Sequence, residues 1–71
     1  MELTQTQKLL IYGLRQFPLS EENQEGIFLL LKNEDDQLLM IYYLQTHPNA
    51  TEEEIMEEYV RILKQRKMLQ S

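Results

Sequence analysis

Apolar residues near the start of the chain recur at helical spacing. Leu10, Leu14 and Phe17 stand at i, i+4 and i+7, so they fall on one helix face. Thr4, with Gln7 three residues on, supplies the pair that a capping box needs. Pro18 disfavours helical geometry at Phe17 and closes the segment. The first predicted helix therefore covers 4–16. Gly13 sits inside it at a cost of about 1 kcal/mol relative to Ala, which is tolerated where another helix must come close.

The second predicted helix covers 20–32. Ser20 is a good N-cap, and Glu21 and Glu22 occupy the first turn, where the helix dipole favours acids. It runs through Gly26 into the apolar run "IFLLL". Lys32 suits a C-terminus, and Asn33 is expected to take the left-handed conformation that closes a helix. Glu34, Asp35 and Asp36 then provide first-turn acids for a third helix over 34–46. Continuous apolar runs such as "IFLLL" and "LLMIYYL" do not separate a buried helix from a buried strand by period alone. Abundant Leu, Met, Gln and Glu favour helix; a hairpin through "KNEDDQ" is the alternative.

The fourth helix, over 51–70, has the most complete signals. Thr51 and Glu54 form a second capping box, with acids in the first turn and Arg61, Lys64, Arg66 and Lys67 in the last turns. Ile55, Tyr59, Ile62 and Leu69 trace its apolar stripe, flanked by Met56 and Leu63. Glu57 and Arg61 are spaced for an i, i+4 ion pair. The expected fold is all-α: one small domain over 1–71, a compact bundle of four short helices with the third central and the fourth longest.

Composition narrows the class. The chain has 71 residues, 42% hydrophobic and 27% charged, with no cysteine. That describes a globular domain rather than a disordered segment, and it excludes disulfides and thiolate metal sites. A domain this small buries only about 60% of its unfolded surface, so good helix packing or self-association must supply its stability. The initial Met suggests a whole protein. The N-terminus lacks a basic leader with an uninterrupted apolar core, and the longest apolar run, Leu38–Leu44, is seven residues. A cytoplasmic, bacterial-type protein with no membrane segment is the expectation.

Net charge is −5, unevenly spread: +1 over 1–20, −5 over 21–36, none over 37–50, −5 over 51–60 and +4 over 61–71. An acidic molecule with one short basic tail is poorly suited to a polyanionic duplex. The candidate basic patch is Arg61, Lys64, Arg66 and Lys67, although complementarity to the helix dipole accounts for all four.

Little in the chain speaks for catalysis. His47 is the sole histidine, Ser20 and Ser71 are the only serines, and Gly13 and Gly26 stand apart rather than in a phosphate-binding loop. Glu53 and Glu57, or Glu54 and Glu58, share a helix face, but a solvated face does not raise a carboxyl pKa. "NEDD" (33–36) and "EEE" (52–54) lack the alternating ligands, central Gly and terminal Glu of a calcium loop. No enzyme activity, cofactor or metal is expected.

The segment "THPNATEEEI" (46–55) resembles the entry to the DNA-reading helices of winged-helix and helix-turn-helix regulators. The likeness covers about 20 residues. A tight turn should then follow near 59–62, where "YVRIL" stands instead and the apolar stripe continues. No family is assigned on this likeness.

The third helix is apolar nearly all round, so it is either buried on several sides or covered by a partner. Phe28, Met40, Tyr42 and Tyr43 are the candidate partner surface. The expected function is non-catalytic protein–protein interaction through apolar helix faces, as a homodimer or as an adaptor or regulator of another protein. The alternative is an accessory nucleic-acid binder using 46–55 and the basic tail.

Overall fold

The computed structural model describes the backbone of residues 2–70 and the side chains of residues 2–67. Four helices follow in order: α1 (Gln5–Arg15), α2 (Glu21–Leu30), α3 (Glu34–Thr46) and α4 (Glu52–Gln70). The fold is all-α, and the hairpin alternative is overturned: residues 27–30 of "IFLLL" form the end of α2, and all of "LLMIYYL" lies within α3. α3 packs on α1 and on α4, and α1 also packs on α2. The third helix is thus the central one and the fourth the longest.

Helix starts form where the capping residues stand. Gln7 N–H donates to Thr4 Oγ1 at 3.0 Å, and Thr4 N–H donates to Gln7 Oε1 at 2.8 Å. The same reciprocal pair joins Thr51 and Glu54, at 3.2 and 2.9 Å. Ser20 accepts from Asn23 N–H at 3.2 Å. These bonds satisfy donors that a bare helix end leaves orphaned.

The α2–α3 corner departs from the expected closure. α2 ends at Leu30, two residues short of the predicted limit, and Asn33 is extended at φ −87°, ψ 136° rather than left-handed. The reason lies in Leu31, which leaves the helix so that its side chain enters the core with no exposure. Gln37, itself buried, donates its Nε2–H to the Leu31 carbonyl at 2.7 Å. A side chain from α3 thereby does the work that a left-handed residue would do.

The core joins Leu10 and Leu14 of α1, Leu19, Ile27 and Leu31 around α2, Met40 and Leu44 of α3, Ala50, and Ile55, Tyr59 and Ile62 of α4. Phe17, Met56 and Leu63 are partly buried against it, and Leu69 lies outside the described side chains. Gly13 permits a close approach: a Cβ there would sit 3.3 Å from Leu44 Cδ1.

Polar bonds lock the remaining helix ends. Glu52 Oε2 accepts from Ser20 N–H and from Asn23 Nδ2, both at 2.8 Å, tying the start of α4 to the start of α2. These donors hold the Glu52 carboxyl below its usual pKa, the Ser20 backbone bond being the largest cause. Tyr59 O–H donates to the Gly26 carbonyl at 3.4 Å.

Candidate functional site

Three places on the surface matter: the face shared by α1 and α3, the C-terminal half of α4, and the corner between α3 and α4.

On α1 the residues beside the buried stripe are Leu9, Tyr12 and Gln16; on α3 they are Leu38, Ile41, Tyr42 and Gln45. Leu9, Tyr12, Gly13, Gln16 and Phe17 meet Ile41, Leu44 and Gln45 across a groove of about 240 Å³. Leu38, Ile41, Tyr42 and Gln45 recur at helical spacing, so Leu38 and Tyr42 extend that face outward. Tyr12 is 70% exposed and Tyr42 66%, with Leu9 and Leu38 close to half exposed. No lining residue carries a charge, and the polar groups are two glutamine amides and the Tyr12 hydroxyl. Such a surface has no nucleophile or acid to react with; it offers apolar area, aromatic rings and amide hydrogen bonds.

The four residues singled out for a partner surface do not form one. Met40 has no exposure and belongs to the core, on a helix that packs on both α1 and α4. That assignment is corrected. Phe28 is half-buried and lines a separate groove between α1 and α2, beside Arg15, Glu21 and Glu25. Tyr43 is half-buried on the α4 side, where burial and then Glu54 and Glu58 raise its pKa. Tyr42 alone joins the α1–α3 face. Leu9 and Tyr12 of α1 carry no signal in the sequence, because the period of Leu10, Leu14 and Phe17 marks only the buried side of the same helix.

The four basic residues of α4 are also split by the fold. Arg66 makes a bidentate pair with Asp36, Nε to Oδ2 at 3.1 Å and Nη2 to Oδ1 at 3.0 Å. The Asp36 side chain is only 8% exposed, so Arg66 neutralises a carboxylate within the fold and is held cationic by it. Arg61 pairs with Glu58 at i, i+3, not with Glu57 as the spacing suggested. Lys64 and Lys67 are exposed, and Lys64 shares its groove with Glu53 and Glu57. The cluster read as one patch is thus two ion-paired arginines and two lysines, with acids among them.

At the "THPNATEEEI" corner, the His47 ring stacks on Tyr43 with centroids 4.1 Å apart. His47 Nδ1 lies 3.0 Å from the Tyr43 carbonyl and 3.0 Å from Thr46 Oγ1. Ala50 N–H donates to the His47 carbonyl, which turns the chain, and Ala50 is buried beneath it. α4 then continues unbroken through residues 59–62. The turn that a helix-turn-helix requires is absent. Among the described residues, no three His, Asp or Glu side chains converge as metal ligands, and no helix is long and apolar enough to cross a membrane.

No protein-family model, curated protein or solved structure matches the chain.

Proposed function

We propose that this is a non-catalytic cytoplasmic interaction protein that acts through the apolar face of α1 and α3. One observation carries the reading: an uncharged groove lined by Tyr12, 70% exposed, with Tyr42, 66% exposed, on the outer side of α3, on a chain with net charge −5. Exposed apolar side chains scattered singly need no explanation, but a contiguous set with aromatic members is the composition of protein interfaces. Tyrosine contributes large contact area and a hydroxyl while losing little conformational freedom. The helices beneath it are anchored to the core by Leu10, Leu14, Met40 and Leu44, which favours a backbone already in place when a partner arrives.

The nucleic-acid reading is not adopted. Its basic residues are interleaved with acids, and Arg66 is engaged with Asp36.

Site-specific photo-crosslinking tests the proposal. A photoreactive residue at position 12 or 42 should give protein adducts in cells, whereas one at position 57 or 64, on the charged face of α4, should not. Adducts from α4 alone, or none from either face, would overturn it.

A further inference from the structure

Resting on that reading, we infer that the occupant of the α1–α3 face is a second copy of this chain, placed by a two-fold axis so that the same face meets itself. Two features of the surface point to this partner.

The first is charge. Two copies each carrying −5 repel one another on average. A self-contact forms where the meeting surfaces are locally neutral. Most of the charge lies over 21–36 and 51–71, while residues 37–50 carry no formal charge and α1 carries only Lys8 and Arg15, neither of which lines the groove. The groove between α1 and α3 is lined without a single charged side chain. By contrast, the groove on the outer side of α4 has Glu53, Glu57, Arg61 and Lys64 among its six lining residues. A basic or acidic protein partner would select one of the charged faces; an uncharged face on an acidic molecule suits an identical one.

The second is area. Tyr12 and Tyr42 are 70% and 66% exposed, and Leu9 and Leu38 are 49% and 46% exposed. Taking roughly 200 Å² for each aromatic side chain and somewhat less for each leucine, these four present about 400 Å² of mainly apolar surface. Half-buried Phe17 and Ile41 add to it. A standard interface buries about 800 Å² per partner, a little over half of it apolar. The face therefore supplies the apolar core of one ordinary isologous interface, and in such an interface each tyrosine is used twice. Gln16 and Gln45, which also line the groove, add polar area to it.

Sedimentation equilibrium of the full chain, from about 10 μM to about 1 mM, tests this directly. The wild-type mass should climb towards twice the monomer mass, and more readily at higher salt, where the repulsion between two acidic copies is screened. Tyr12→Lys and Tyr42→Lys, each made alone, should weaken dimerisation about thirtyfold or more, the effect of losing a central aromatic contact. Both side chains are exposed, so helix content by circular dichroism should stay at the wild-type level. Val60→Lys, on the outer side of α4, should leave the dimer unchanged. A wild-type monomer at every concentration would overturn the inference. So would a dimer that survives both tyrosine substitutions, or one dissociated by Val60→Lys. Crosslinks from position 12 to a different protein, with a monomer in the centrifuge, would also overturn it while leaving the proposed function standing.

Discussion

Replacing Gln37 examines how the α2–α3 corner is held. Gln37 is 3% exposed, and its amide N–H bonds the Leu31 carbonyl at 2.7 Å, just where α2 gives out. In Gln37→Leu the volume is nearly kept, but the carbonyl loses its donor within a buried corner. Orphaning a buried acceptor costs about 1–3 kcal/mol. For a domain of this size, each kcal/mol lowers the melting temperature by about 4–8 °C, so a fall of roughly 5–20 °C is expected. Gln37→Glu keeps shape but not donor capacity: at neutral pH a carboxylate would face a carbonyl oxygen. The introduced carboxyl should therefore titrate above the ordinary value of about 4.3 in the folded state. With the folded pKa raised, its destabilisation is absent below the unfolded pKa and grows as pH rises through the folded one. Thermal unfolding followed by circular dichroism between pH 3 and 8 reads both effects. A Gln37→Leu variant within about 0.5 kcal/mol of wild type would refute the account of the corner, as would a Gln37→Glu variant whose stability difference from wild type is the same at both ends of that range.

Further outcomes follow from the same packing. Gly26→Ala should stabilise the fold by about 1 kcal/mol in chemical denaturation, because a helix-interior glycine is replaced and a Cβ there meets nothing within 4 Å. Gly13→Ala should gain far less, since its Cβ would press on Leu44 Cδ1; equal gains at both sites would contradict this. Glu52 and Glu54 both have lowered pKa values from the backbone donors they accept, so their stabilisation is present above the ordinary carboxylate pKa and is lost as pH falls through the folded values. Glu52→Gln should flatten the acid limb of the stability curve, and an unchanged limb would show that the Ser20 and Asn23 bonds do not contribute. If two copies associate, the melting temperature should rise with protein concentration; a concentration-independent value would count against the dimer.

Much of the fold was readable from local chemistry, because caps and stripes are local. Thr4 with Gln7, Ser20, and Thr51 with Glu54 cap as their spacing implied. The stripes Leu10–Leu14 and Ile55–Tyr59–Ile62 are buried as their period implied. What escaped is whatever depends on a distant partner. Three glutamates open α4, and nothing near Glu52 marks it as the one that reaches Ser20 and Asn23. Asp36 reads as a first-turn acid until the fold brings Arg66 beside it, thirty residues away. The propensity of Asn33 allows a left-handed terminator, but the bond from Gln37 makes one unnecessary. On α3, nearly uniform apolarity gives no direction to the core, so the sequence does not separate buried Met40 from half-exposed Leu38.

Amide chemical shifts recorded across a dilution series test most directly whether the molecule acts through the α1–α3 face, with a second copy as the occupant. The account predicts concentration-dependent shifts confined to the exposed sides of residues 9–17 and 38–45, with the outer positions of α4, such as Glu57 and Lys64, unmoved. Shifts centred on α4, or spectra identical at every concentration, would contradict it.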